Sequence, residues 1–362
     1  MPSIEKDIAD LIYFLYCGLN NKTPDKKRID NVNLKQLFMN SKKQNVSNIV
    51  YYALKKSDGF KNQYWETDFV KSIKREMMFE AERKKIYEFL NDNKIWYCPL
   101  KGLVIKELYP EYGLREMGDN DILFDTNYEN LLNKYMDNNG YDVETGELHN
   151  MYTKKPVFNF EFHKRLFNKN PYLEFFNYFS DLDNRLVKNN NSYCRKFNDE
   201  DFYLSVVCHR YKHTEVTGSG FKFLIDIYIY LKHKPNLDIN YVSKVADKLN
   251  IADFELRGRE LSYKLFDSEM LELGDLDIEE IRNMVGAGVY GTTENYVQNK
   301  FKKYGKSPRL FFSYFFPSKT SLKDRGQKYP KYSIFLPIYW VLLYKKFFKS
   351  RDIKTFIKAL KK

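Results

Sequence analysis

Two aspartates separated by a single residue are the strongest candidates for chemistry in this sequence. Asp119 and Asp121 lie in the run GDNDILF (118–124), where polar and apolar residues alternate as they do in a β-strand. Residues two apart on a strand project to the same face, so the two carboxylates would lie side by side. A divalent cation relieves the repulsion of such a pair, and Mg²⁺ (or Mn²⁺) prefers oxygen ligands while keeping positions open for phosphate oxygens. A DxD on a strand also occurs by chance in many proteins, and the pair predicts a metal site together with the glutamate and the turn described next.

A later strand-like run can supply a third carboxylate. In FNFEFH (158–163), phenylalanines occupy one face, and Asn159, Glu161 and His163 occupy the other. If this strand lies beside the strand of the aspartates, Glu161 completes a three-carboxylate site. Such a site can activate an attacking hydroxyl and steady a leaving pyrophosphate. A solvated strand face would also carry a glutamate, and His163 either orients Glu161 or is a structural histidine.

A turn upstream of the aspartates is suited to binding phosphate. Lys101 and Gly102 lie where the apolar run IWYCPL (95–100) opens into a predicted helix. A glycine at that point lets backbone N–H groups and the helix N-terminus approach a phosphate closely. We expect Lys101 to contact the phosphate as well. Arg115, which follows the turn, either contacts a triphosphate or pairs with a nearby acid such as Glu111.

Taken in order, these motifs resemble those of a nucleotidyltransferase family. They are Leu100-Lys101-Gly102, Tyr109-Pro110, Arg115, Gly118-Asp119-Asn120-Asp121 and Glu161-Phe162-His163. The set is similar to that of a poorly characterised bacterial group within the polymerase-β-like superfamily. The resemblance continues more weakly through His209 and His213 to Leu224-Ile225-Asp226, and to Phe316-Pro317-Ser318. Two positions depart from the usual pattern: Asn120 stands where the group has an apolar residue, and the common Gly-Ser turn is Lys101-Gly102.

The resemblance implies a metal-dependent transfer of an NMP from an NTP to an acceptor hydroxyl or phosphate. Asp119, Asp121 and Glu161 would be catalytic and would bind Mg²⁺ (or Mn²⁺), with the NTP as co-substrate. Lys101, Gly102, Arg115 and Gly118 would bind the nucleotide. A second group of candidate site residues comprises His163, His213 and Asp226. The acceptor is open, with a sugar or glycan precursor as one option.

Two other functions are compatible with the same motifs. One is a toxin-like enzyme that modifies tRNA or protein, and the other is a non-catalytic module that binds nucleotide or a partner. The chain has no GxxxxGK[ST] loop, GxGxxG fingerprint, GxSxG elbow or CxxC pair, which disfavours P-loop, dinucleotide-dependent and serine-hydrolase chemistry. A second GDxD, Gly274–Asp277, precedes a helical segment, so its acids are predicted to cap that helix. Asp226, inside an apolar helix, needs either a basic partner or a ligand group.

Hydrophobic periodicity predicts an α+β protein with a small mixed-sheet core flanked by N-terminal and C-terminal helical regions. Residues 1–94 and 201–299 show helical spacing, whereas residues 95–200 alternate strand, helix, strand, helix, strand, strand. The resemblance makes this core the nucleotidyltransferase domain. The four widely spaced cysteines fit a reducing compartment, and we expect a cytoplasmic protein.

The positive charge is concentrated in a basic, aromatic-rich tail, residues 300–362. This tail carries 18 basic and two acidic residues, whereas residues 1–299 carry 42 basic and 46 acidic ones. Such a tail suits contact with an anionic membrane, which would make the protein peripheral to the inner face, or with a nucleic acid. The alternative is a packed helical pair with solvated lysines.

Deletion of residues 300–362 tests these alternatives by changing the net charge from +12 to −4. If the tail binds membranes, the full-length protein should sediment with anionic liposomes at low salt and be released as salt rises. The reason is that dissolved salt screens exposed charges, so that their electrostatic attraction extends only about 8 Å at physiological ionic strength. The truncated protein should stay in the supernatant and still bind NTP. Precipitation or unfolding of the truncated protein would show instead that the aromatic runs belong to the core.

Overall fold

The computed structural model describes residues 4–189, 192–288, 291, 336–337 and 340. Almost all of the tail, including Phe316-Pro317-Ser318, lies outside the described residues, so the predictions about it stay predictions. Met1–Tyr211 and Phe221–Val285 form one compact unit, which contains all the described strands. Lys212–Gly220 and the described residues from Gly286 onwards belong to a second unit.

The first unit is built around a five-stranded mixed sheet. Its strands are β1 (Tyr97–Pro99), β2 (Asn120–Phe124), β3 (Asp142–Glu144), β4 (His149–Lys154) and β5 (Phe158–His163), in the order β1-β2-β5-β4-β3. Strands β2 and β5 are parallel, and the other neighbouring pairs are antiparallel. The predicted α+β fold, with a mixed-sheet core and helical flanks, is confirmed.

Helices precede and follow the sheet. The N-terminal ones are α1 (Lys6–Leu19), α2 (Lys26–Asn31), α3 (Leu34–Gln44), α4 (Ser47–Leu54) and α5 (Gln63–Asp92). Between and after the strands lie α6 (Gly102–Ile105), α7 (Glu129–Asn138), α8 (Leu173–Phe179) and α9 (Leu182–Arg185), followed by the hairpin β6 (Leu186–Lys188) and β7 (Arg195–Phe197). The C-terminal helices are α10 (Asp199–Val216), α11 (Phe221–His233), α12 (Ile239–Lys248), α13 (Ala252–Phe266) and α14 (Asp275–Ala287).

The second GDxD segment begins α14, as its sequence predicted. Asp277, in the first turn, accepts a hydrogen bond from the Gly274 N–H at 3.1 Å, which satisfies a donor at the start of the helix. Among the described residues, no helix combines the length and the apolar character needed to cross a membrane.

Strand β4 has no counterpart in the sequence prediction. Its buried positions are Asn150 and Tyr152, so the strand lacks the apolar alternation that marks its neighbours. Asn150 donates to Glu129 Oε1 at 2.9 Å, and the Tyr152 hydroxyl donates to Asn133 Oδ1 at 2.6 Å. A buried amide that is satisfied by α7 therefore takes the place of a hydrophobic residue.

Hydrophobic clusters cover both faces of the sheet. Ile122 and Phe124 of β2 pack with Phe160 and Phe162 of β5 and with apolar residues of α5 and α7. Leu123, which lies between them in the chain, belongs instead to the larger cluster formed by the N-terminal and C-terminal helices. Because side chains alternate along a strand, Asp121 and Leu123 share this second face.

The unusual Asn120 lies on the face towards α5, opposite to the aspartates. Its Oδ1 accepts a hydrogen bond from Arg83 Nη1 at 2.7 Å, and its Nδ2 donates to the Asn159 carbonyl at 3.1 Å. Arg83 Nη2 also donates to Glu76 at 2.8 Å, and all three side chains are buried. Asn120 therefore provides the acceptor for a buried guanidinium that α5 presents at this point.

Replacing Asn120 with leucine should destabilise the protein by about 1–3 kcal/mol, because Arg83 Nη1 would lose its acceptor inside the core. Urea unfolding followed by far-UV circular dichroism would measure the change. The double variant Asn120→Leu, Arg83→Met removes the donor as well, and its loss should be smaller than the sum of the two single losses. Equal unfolding midpoints for wild type and Asn120→Leu would contradict this role for the amide.

Candidate active site

The parallel pairing of β2 and β5 brings an aspartate and a glutamate side by side. Asp121 is directly opposite Glu161 in the register, and Leu123 is opposite His163. Asp119 immediately precedes β2, two residues before Asp121. Of the three acids that the sequence singled out, Asp121 and Glu161 therefore lie on two adjacent strands, and Asp119 lies at the start of the first. Asp121 is buried, whereas Asp119 and Glu161 are half-buried, so the face reaches solvent at one end.

Asp121 is held ionised by two neighbours. Its Oδ1 accepts hydrogen bonds from Lys101 Nζ and His163 Nε2, both at 2.7 Å. Burial opposes ionisation, but Lys101 and His163 outweigh it and hold the pKa of Asp121 well below its usual range. Burial also lowers the pKa of His163 to about 4, so at neutral pH this histidine is an uncharged donor to the carboxylate.

Asp119 shows the opposite behaviour. Burial, and next the charge of Asp121, raise the pKa of Asp119 above its ordinary value. Three cations, Lys101, Lys222 and Arg115, offset part of this rise. A half-buried carboxylate that is repelled by a second carboxylate is stabilised by a further positive charge.

Lys101 has a strained backbone that directs its ammonium group to Asp121. The residue precedes α6 with φ of 47° and ψ of −117°, a region that non-glycine residues rarely adopt. Burial lowers its pKa, but Asp121 more than compensates, so the net pKa is raised and Lys101 stays charged. The lysine predicted to contact phosphate thus lies against the predicted metal-binding acid.

Arg115 forms a buried, bidentate ion pair with Asp226 of α11. Arg115 Nε and Nη2 donate to the two carboxylate oxygens at 2.8 and 2.7 Å, and the Tyr109 hydroxyl donates to Asp226 Oδ1 at 2.8 Å. The acid that pairs with Arg115 is therefore Asp226, and not Glu111, which the sequence analysis gave as an example of a nearby acid. The same pair supplies the basic partner that Asp226 requires inside an apolar helix.

Gly102 is packed against this ion pair. A Cβ atom at Gly102 would lie 2.1 Å from Arg115 Nη1. Glycine is thus required by the approach of a guanidinium, and whether a phosphate also approaches this backbone stays a prediction. Gly118, the fourth predicted nucleotide-binding residue, is half-buried, and its carbonyl accepts from Arg75 Nη2 at 3.2 Å. His213 lies near the end of α10, in the second unit.

Lys222 was missed by the sequence analysis, although it lies beside the acids. Its Nζ donates to the Glu116 carbonyl at 2.6 Å, and burial, followed by the charge of Arg115, lowers its pKa to about 8. The sequence did contain a feature that could have identified Lys222. It lies four residues before Asp226 in the otherwise apolar run of α11, and this spacing places both side chains on one helix face.

The mixed sheet, its helical flanks and the acids at the start of β2 define a nucleotidyltransferase core. A family profile described as "uncharacterised nucleotidyltransferase" matches residues 30–267, and the chain belongs to this family. The predicted family membership is confirmed. A comparison with curated proteins finds no match, and a comparison with solved structures finds none either.

Replacing Gly102 with alanine should destabilise the protein by about 1–3 kcal/mol, because the new methyl group overlaps Arg115 Nη1. The Arg115 guanidinium can move away from the methyl group only by weakening its ion pair with the buried carboxylate of Asp226. Gly286→Ala is the matched control, since a Cβ at this position of α14 meets no atom of the described residues within 4 Å. Thermal unfolding of the two variants checks the difference, and equal melting temperatures would refute the packing argument.

Proposed function

We propose that this protein is a metal-dependent nucleotidyltransferase that moves an NMP from an NTP to an acceptor hydroxyl or phosphate. The observation that carries the proposal is the register of β2 and β5, which sets Asp121 opposite Glu161 with Asp119 two residues away. Membership of a nucleotidyltransferase family supports it. Three carboxylates on adjacent strands suit phosphoryl transfer, where catalysis rests on positioning and charge neutralisation.

The side chains fit a divalent cation. Asp119 has a raised pKa because it is buried next to another carboxylate, so a bound cation would stabilise its ionised form. Among the described residues, the hydrogen bonds to the Asp121 side chain both go to Oδ1. We therefore assign Asp119, Asp121 and Glu161 as the residues that would hold Mg²⁺ (or Mn²⁺). When bound, the ion would neutralise triphosphate charge and acidify the acceptor hydroxyl.

Two lysines are suited to the triphosphate. Lys101 pairs with Asp121 and remains charged, and it lies beside the turn that the sequence predicted to bind phosphate. Lys222 contributes a second positive charge near Asp119. With a pKa of about 8, it is still mostly protonated at neutral pH. We propose that both lysines neutralise phosphate oxygens of the bound NTP.

Arg115 would act by positioning. Its Nε and Nη2 are bonded to Asp226, and its Nη1 donates to Met117 Sδ at 2.8 Å. The guanidinium is thereby held against Gly102, where it fixes the turn that precedes α6. Asp226 contributes to the same positioning, because its carboxylate accepts hydrogen bonds from both Arg115 and Tyr109. His163 holds Asp121 in a fixed orientation through the bond at Oδ1.

The proposal predicts that Asp119→Asn, Asp121→Asn and Glu161→Gln each lower nucleotidyl transfer by about 100-fold or more, because each removes a charge that the reaction requires. Pyrophosphate release and label transfer from each α-labelled NTP with Mg²⁺ measure the activity, and calorimetry measures NTP binding. Acceptors are supplied as fractionated small molecules, RNA and protein.

The matched control is Asp275→Asn in the second GDxD segment, where the aspartate is exposed at the start of α14. This variant should keep full activity. Thermal unfolding of all four variants separates lost chemistry from lost folding. If the wild type neither binds nor transfers any NTP in the presence of Mg²⁺, or if Asp119→Asn behaves like Asp275→Asn, the proposed function is wrong.

A further inference from the structure

A second set of metal-ligating side chains lies on the sheet face of Asp121. His149 of β4 is directly opposite His163 of β5 in the antiparallel register, and Glu161 lies two residues before His163 on the same face. One ligand atom from each of the three residues lies within 4.8 Å of the others. Strand pairing, rather than a flexible loop, brings these three side chains together.

We propose that His149, Glu161 and His163 bind a divalent transition-metal ion, with Zn²⁺ as the best match. Two imidazoles and one carboxylate form a three-ligand zinc set that leaves a fourth position open. Imidazole nitrogen suits Zn²⁺ far better than Mg²⁺, which prefers oxygen. The site therefore differs in ligand chemistry from the aspartate pair. The inference rests on the proposed function only through Glu161, which both sites would share.

The distances are close to those of an assembled site. Glu161 Oε2 lies 3.8 Å from His149 Nε2. The His163 ring is adjacent, since its Nε2, which bonds to Asp121, lies 3.8 Å from the same oxygen. Two atoms that bind one zinc ion at about 2.1 Å each can be at most about 4.2 Å apart. The His149–Glu161 separation of 3.8 Å already meets this limit. The full span of 4.8 Å among the three residues needs a contraction of less than about 1 Å, which small side-chain rotations supply.

The surroundings of His163 also resemble those of a metal ligand. A metal-binding histidine usually donates its other ring nitrogen to a carboxylate, which fixes the tautomer. His163 donates Nε2–H to Asp121, so Nδ1 carries the lone pair. That nitrogen is buried and has no hydrogen-bond partner in the described part of the chain. A buried acceptor without a donor is costly, and a cation at this cluster would remove the cost.

The cluster is open to an ion from solvent. The side chains of His149 and Glu161 are 34% and 21% exposed, whereas that of His163 is 5% exposed. One ligand is thus buried, and the other two are partly exposed to the solvent from which an ion arrives. The negative charge of Asp121 next to His163 adds to the attraction for a dication.

Zinc titration of the full-length, chelator-treated protein tests this inference. With a chromophoric chelator as competitor, the wild type should bind one Zn²⁺ that excess Mg²⁺ does not displace. His149→Gln and Glu161→Gln should each weaken this binding by at least about 100-fold, since even an outer-shell change typically costs about 10–100-fold. Co²⁺ as a spectroscopic probe should show visible bands typical of nitrogen ligation in the wild type and lose them in His149→Gln.

Two controls separate this site from other histidines and from the proposed function. His233→Gln changes an exposed histidine whose Nδ1 lies 2.9 Å from its own helix carbonyl at Ile229, and it should bind Zn²⁺ like the wild type. Asp119→Asn should also keep Zn²⁺ while losing Mg²⁺-dependent NTP binding. Failure of NTP binding with Zn²⁺ binding intact would overturn the proposed function alone.

Thermal unfolding gives a second measurement. Zn²⁺ should raise the melting temperature of the wild type and of His233→Gln, because the ion binds the folded state. It should leave His149→Gln unchanged. Zn²⁺ binding of equal strength in wild type and His149→Gln, or no zinc-dependent stabilisation of the wild type, would overturn the inference.

Discussion

The parallel pairing of β2 with β5 is the constraint on which the site depends. Parallel neighbours cannot be joined by a tight turn, and the chain between them supplies α7, β3 and β4 as the crossover. The register sets Asp121 opposite Glu161, and the returning β4 pairs with the far side of β5 and sets His149 opposite His163. A slip of one residue would move Glu161 to the hydrophobic face, because side chains alternate along the strand.

Coverage of the sheet on both faces explains why the charges occur in specific pairs. A buried charge is costly unless it is paired, and several charged side chains inside this unit have a specific partner. Lys101 holds Asp121, Arg115 holds Asp226, and Arg83 is shared by Asn120 and Glu76. Asp119 contrasts with Asp121, since the pKa of Asp119 is raised whereas that of Asp121 is lowered. The same electrostatics that orders the core thus leaves one carboxylate suited to a cation.

Local patterns in the sequence were enough to predict several elements. The alternation in GDNDILF and FNFEFH predicted β2 and β5, and the confirmed mixed sheet follows from them. Strand β4 escaped prediction because its buried positions hold Asn150 and Tyr152, which are satisfied by hydrogen bonds to α7. Lys222 escaped notice because a lysine near the start of an apolar helix is ordinarily a surface residue, and its burial depends on packing.

The sequence by itself determined strands β2 and β5, the spacing of the acids and the family, because periodicity and motifs are properties of neighbouring residues. The tertiary structure decided which side chains those residues contact. Asp226 reaches Arg115 from 111 positions along the chain, and His149 joins Glu161 through the pairing of β4 with β5. Strand order and burial arise from contacts between distant segments, and they alone set the pKa of Asp121 below, and that of Asp119 above, the ordinary value of an aspartate.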